Sequence, residues 1–192
     1  MKKFSLLVAL ITITLISIAV IGVNATSSNE KELDAIKNVL INASTIADKA
    51  YVDCKTSDKQ GILNSNKENI MKKHHDNLND VFDNKYVEKI KKAWIDDQVT
   101  NVQDGPDCVE AGISNIEIKD FSINGNTATV TAILTKYLID RVNQNGKYYL
   151  DKMEGNITDT ATLTKENGKW KIVQFESIPD LDSTTHTLTA EK

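Results

Sequence analysis

Three polar residues in the second half of this chain fall among apolar ones at strand spacing. Asp159 shares its parity with Ile157, Ala161 and Leu163, Lys136 sits between Leu134 and Leu138, and Gln174 follows Trp170 and Ile172. In a strand, residues two apart share a face, so the pattern aims all three inward. A buried charge requires a partner. If the three converge, they would orient a ligand in a pocket, and an inward aspartate is the natural base for proton transfer or hydration. Trp94, on the inner side of a predicted helix, would face the same space. The competing reading is that local bulges change the parity, or that these positions lie on a solvated rim.

His74-His75-Asp76 is the histidine cluster of the chain. Adjacent helical residues diverge by about 100°, so the two imidazoles do not form a chelating face, and the residues predict no metal and no cofactor. HExxH, a nucleophile elbow, a P-loop and CxxC are all missing. Cys54 and Cys108 are the two cysteines. In an oxidising compartment they form a candidate disulfide, closing a loop that would stabilise the fold by roughly 4 kcal/mol in the chain-entropy picture. The alternative is two unpaired thiols.

The elements that must position these residues are legible from periodicity. From Ser27 to about Asp53, Leu33, Ile36, Leu40, Ala43, Ala47 and Ala50 recur at steps of three and four, with Ser27 and Glu30, or Asn29 and Glu32, placed to cap the start. After a break over 55–61, Ser65 and Glu68 open a second helix with Ile70 or Met71, Leu78 and Phe82 inward. Asp83-Asn84 interrupts again, and a third helix carries Tyr86, Ile90, Ala93 and Trp94 inward before a loop around Gly105-Pro106. Then Asn124-Gly125, Asn145-Gly146 and Asn167-Gly168 punctuate alternating runs. Asn-Gly favours the tight hairpin turn, so four antiparallel strands follow, over about 113–123, 126–142, 147–165 and 169–178. Gly155 reads as a bulge that bends the long third strand. Thr127, Thr129, Thr131 and Thr135, with Thr158, Thr160, Thr162 and Thr164, form a solvated outer face. The chain from Pro179 to Lys192 reads as a flexible tail.

Helices followed by a bent meander that ends in Gly168-Lys169-Trp170-Lys171-Ile172 resemble the nuclear-transport-factor-two-like, or SnoaL-like, superfamily over about Ser27 to Ile178. The resemblance implies an α+β, cone-shaped fold with three N-terminal helices packed on a curved four-stranded antiparallel meander, leaving a pocket. In that superfamily the pocket serves isomerases, dehydratases and exported modules without catalysis. The isomerase roles have no residue-by-residue match here; Tyr51, Tyr86 and Asp159 are of the right types, but no local motif joins them.

Lys2 and Lys3, the apolar run 4–23 and Val23-Asn24-Ala25 read as a signal peptide over 1–25, or as an uncleaved signal anchor, since twenty residues suffice to cross a bilayer. Either way the domain over 26–178 is secreted or extracytoplasmic, with membrane contact only through residues 4–23. The net charge of −4, which becomes −6 without Lys2 and Lys3, disfavours nucleic acid as a partner. The expected function is a non-catalytic binding domain recognising a small molecule or envelope protein through the concave sheet. The alternatives are a SnoaL-like pocket enzyme and an anchored interaction module of a cell-envelope assembly. A homodimer is compatible with any of them.

Overall fold

The computed structural model describes residues 27–102 and 105–191. The leader or anchor expected over 1–25 lies outside them. Helix α1 (Ser27–Lys59) is followed by α2 (Leu63–Val81) and α3 (Asn84–Lys91), which runs through a π-helical turn (Lys92–Asp96) into a short α4 (Asp97–Thr100). Strands β1 (Cys108–Asn124), β2 (Thr127–Gln144), β3 (Lys147–Glu166) and β4 (Lys169–Ala190) form one antiparallel sheet in chain order.

The punctuation has local causes. Gly61 ends the first helical run with φ +69°, a conformation that costs glycine little. Asp83 caps α3 by accepting the Tyr86 backbone N–H at 2.7 Å. At the last two hairpins Asn145, Gly146, Asn167 and Gly168 all have positive φ, the signature of a type I′ turn.

Burial follows the inner parity of the sheet. Ala128, Val130, Ala132 and Leu134 on β2 meet Asp159, Ala161 and Leu163 on β3, all at most 2% exposed. Helix α1 lays Ile36, Leu40, Ala43, Ala50 and Cys54 into the same core, and α2 adds Ile70, Leu78 and, at its end, Phe82. The threonines face outward, where Ser122 and Thr129 share a hydrogen bond of 2.8 Å.

Four expectations are corrected. The first is the cone closed by three helices. The strands extend far beyond the helical layer, so β2 past Lys136, the first half of β3 and the last half of β4 carry no fully buried side chain. Where helices cover Ala128–Leu134 and Ala161–Leu163, the space between is filled core. The third helix is moreover an α–π–α run, in which Ala93 is exposed.

Secondly, the flexible tail expected over 179–192 is strand as far as Ala190. The first half of β3 exposes backbone groups that need partners, and the β-favouring run Thr184–Thr189 supplies them, pairing Glu154 with Thr185 and Tyr149 with Ala190.

Thirdly, the bulge lies in β4. β3 pairs with β2 from Thr164 to Lys147 without a register shift, Gly155 facing Lys136. Between the pairs Asn156–Asp180 and Glu154–Thr185, β4 holds the extra residues 181–184 against Gly155 alone. Ser183 fastens this bulge, accepting from Asn156 N and donating to Asp180 O, both at 2.7 Å. A Cβ on residue 155 would come within 3.1 Å of Thr184 Oγ1.

Lastly, Cys54 and Cys108 are free thiols, both buried. Cys54 packs in the helical core, whereas Cys108 begins β1 opposite Asp140. Burial pushes each thiol up to about 11.

Candidate functional site

The inner face of the sheet divides where α1 ends its cover. On the covered side Asp159 is 0% exposed, between Ala132 of β2 and Ser177 of β4. Its Oδ2 is hydrogen-bonded with the Ser44 hydroxyl of α1, while Oδ1 has no hydrogen-bond partner. Burial pushes this carboxyl above the ordinary range, and the Ser177 and Ser44 hydroxyls and the Lys136 charge only partly offset the rise.

Lys136 stands at the boundary, 2.6 Å from Asp48 Oδ2 on α1, with both side chains about three-quarters buried or more. Ser44 and Asp48 are one helical turn apart, so α1 presents a hydroxyl to Asp159 and a carboxylate to Lys136 from one stripe. Gln174 lies exposed on β4 and joins neither group. Trp94 belongs to a separate aromatic cluster. Its ring meets Phe82 edge-on at 5.7 Å and Phe175 at 6.3 Å, and Phe82 stacks on Tyr86 at 5.1 Å. The π turn aims Trp94 at this cluster while Ile95 beside it enters the core. Of the four candidates, the fold therefore brings Asp159 and Lys136 together beneath α1 and sends Gln174 and Trp94 elsewhere.

Two clefts open on either side of the Lys136–Asp48 pair. One, of about 280 Å³, lies between α1, α4 and the start of β1, with Asp48, Tyr51, Gln98, Cys108 and Leu138 in its wall. Tyr51 holds its rim by donating to Pro106 O at 2.8 Å, over a glycine, Gly105, at which a Cβ would collide with the phenol oxygen. The other, of about 320 Å³, runs over the uncovered sheet to the β4 bulge, lined by Lys136, Leu138, Met153, Ile157, Pro179 and Leu181. Leu138 borders both. Leu181, at the tip of the bulge, is 79% exposed.

Sequence reasoning missed Asp48, Ser44 and the bulge. Ser44 and Asp48 have the one-turn spacing of a helical polar stripe, but nothing in the sequence announces that this stripe faces a sheet. Asp140, opposite Cys108, was also unmarked; burial raises its carboxyl, with Asp151 and Asp107 adding to the effect.

His74 and His75 diverge as their adjacency requires. His74 is buried and bonds Asp53 of α1 at 2.8 Å through Nε2, whereas His75 reaches Asp96 of the π turn at 2.7 Å. Among the described residues, no group of three or more His, Cys, Asp or Glu side chains is placed to hold a metal ion. Among the same residues, no helix is long and apolar enough to cross a membrane.

No protein-family model matches the chain, and no curated protein does. Among solved structures it is similar to the intermembrane-space region of the chloroplast protein ARC6, with 16% identity over 55% of this chain and 78% of that one. The TM-score is 0.39, too low to carry an argument about kinship or activity.

Proposed function

We propose that this chain is an exported, non-catalytic binding domain that takes a small, largely apolar molecule on the inner face of its sheet. The observation that carries the reading is the meeting of two clefts at Leu138, where the sheet runs out from under α1. Ligand sites are commonly concave, mostly apolar spaces of about 300–1,000 Å³ with a few placed polar groups. Leu138, Met153, Ile157, Pro179 and Leu181 supply the apolar wall, and Lys136, Asp48 and Gln98 supply the polar groups. Asp159 lines neither cleft, so a ligand lying in them would not touch its carboxyl.

Export rests on the basic, apolar and small-residue pattern of residues 1–25, and kinship with the nuclear-transport-factor-two-like superfamily rests on the Gly168–Ile172 entry into the last strand. The test uses an uncharged fluorescent probe, N-phenyl-1-naphthylamine. The protein should enhance its emission saturably, Leu138→Glu should abolish the enhancement, and Thr160→Glu on the outer face should leave it unchanged. Equal enhancement by both variants would refute the site.

A further inference from the structure

Two oxygens compete for one proton beneath α1. The Ser44 hydroxyl lies 2.8 Å from the carbonyl oxygen of Leu40, one turn back, and is also in hydrogen-bond contact with Asp159 Oδ2. A serine hydroxyl has one hydrogen. If Asp159 were a carboxylate, only one of these contacts would be a hydrogen bond, and the other would set lone pair against lone pair.

The surroundings sharpen the conflict. Asp159 is fully buried, and its Oδ1 has no hydrogen-bond partner. The charged groups that face it are Lys136 from β2 and, beyond it, Asp48 from α1. Lys136 is committed to Asp48 at 2.6 Å, and Asp48 Oδ2 has no hydrogen bond to fall back on. From β4 the residue opposite is Ser177, whose hydroxyl favours the carboxylate in part but brings no counter-charge. An anion at this position would therefore be buried without a counter-ion of its own, which is the costly case.

A neutral acid resolves both contacts of Ser44. Its hydroxyl donates to Ser44 Oγ, and Ser44 then donates to Leu40 O, so two hydrogens serve two bonds in one direction.

We propose that Asp159 is a neutral carboxylic acid in the folded protein at neutral pH, and that its proton clasps β3 to α1. Burial, which raises the carboxyl, acts in the same sense. The clasp is pH-sensitive. An acid whose folded pKa is raised contributes stability that is complete below its unfolded pKa, near 3.8, and is lost as pH rises through the folded value. Ionisation would remove the donor to Ser44 and place a second carboxylate near Asp48. Because α1 also carries Ala47, Asp48 and Tyr51 into the cleft wall, alkaline pH would loosen that wall. The proposal goes beyond the binding reading and stands without it.

The experiment follows the carboxyl carbon of Asp159 by NMR in ¹³C-labelled wild-type protein from pH 3 to pH 10, so that it depends on no variant folding. Resonance assignment uses Asp159→Asn, whose side-chain amide can also donate to Ser44. The expected result is a carbon shift that stays at the protonated position through pH 7 and moves only at higher pH. Amides of α1 around Ser44 should then exchange faster as that shift moves. The Asn variant should match the wild-type denaturation midpoint near pH 3, exceed it at pH 7, where only the wild-type unfolded chain gains by ionising, and keep slow α1 exchange at the higher pH. A carboxyl that titrates in the ordinary aspartate range, or stays ionised down to acid pH, would overturn the proposal. So would an α1 whose exchange ignores the titration.

Discussion

Removing the Glu32 carboxylate should unfasten the start of α1 from the last hairpin. Glu32 Oε1 accepts from Lys165 Nζ at 2.5 Å, and Oε2 accepts from the indole N–H of Trp170 at 2.6 Å. Trp170 is only 4% exposed, so in Glu32→Ala its N–H loses its acceptor inside the protein, at a cost of about 1–3 kcal/mol. Both ends of the Lys165 pair are about a quarter or more exposed, and a screened pair of that kind adds about 0–1 kcal/mol. The sum predicts a loss of about 2 kcal/mol for Glu32→Ala. Glu32→Gln keeps an amide oxygen for the indole and should lose about 1 kcal/mol or less.

Chemical denaturation at pH 7, followed by tryptophan fluorescence, measures both variants. The reasoning is refuted if Glu32→Ala falls within about 0.5 kcal/mol of wild type, the usual range for an inconsequential surface change. It is equally refuted if the glutamine variant loses as much as the alanine one. The pH dependence gives a second check. The Lys165 and Trp170 hydrogen bonds hold the Glu32 carboxyl below its ordinary value of 4.5, so its contribution is present above that pH and is lost as pH falls through the lower, folded value.

Three further outcomes are expected. Burial lowers the His74 pKa from 6.5 against the opposing pull of Asp53, so the unfolded chain takes up the proton first; stability should fall as pH drops below about 6.5, with a flatter slope in His74→Gln, read from denaturation midpoints between pH 8 and pH 5. With both thiols buried and pushed up to about 11, Cys54 and Cys108 should react with a thiol-specific chromogenic reagent at pH 7 only as fast as the protein unfolds, and reductant should not move the midpoint; rapid native labelling, or a midpoint lowered by reductant, would contradict this. Gly112→Ala places a Cβ within 3.0 Å of the Tyr137 phenol oxygen and two of its ring carbons, which must shift as a unit and release the bond to Glu110; a loss of about 1–3 kcal/mol is expected, and a neutral result in calorimetry would show that the ring moves freely.

How much of this was legible in advance varies with the range of the interaction. The first helix from Ser27 to about Asp53, the interruption at Asp83-Asn84 and the hairpins at Asn145-Gly146 and Asn167-Gly168 depend on residues a few positions apart, and their periodicity or turn chemistry is written locally; the helix runs on to Lys59, through the expected break over 55–61. Asp159 is also local in one respect, because strand parity alone puts it on the same side as Ala161 and Leu163. Its partner is not local: Ser44 is 115 positions away, and no spacing rule connects them. Gln174 shows the limit of parity. The register shift between the pairs Thr162–Gln174 and Leu163–Ile172 turns it away from the face of Ile172.

The sequence by itself therefore determined the order of elements, the two faces of the sheet and the places where the chain reverses, because each follows from side-chain periodicity or from the φ preferences of a few neighbouring residues. Only the tertiary structure decided where the helical cover stops, which strand takes up the bulge, that the two cysteines face different surroundings, and that Lys136 is held by Asp48. Those outcomes depend on which distant surfaces meet, and backbone pairing and burial select among them only when the whole chain has closed on itself.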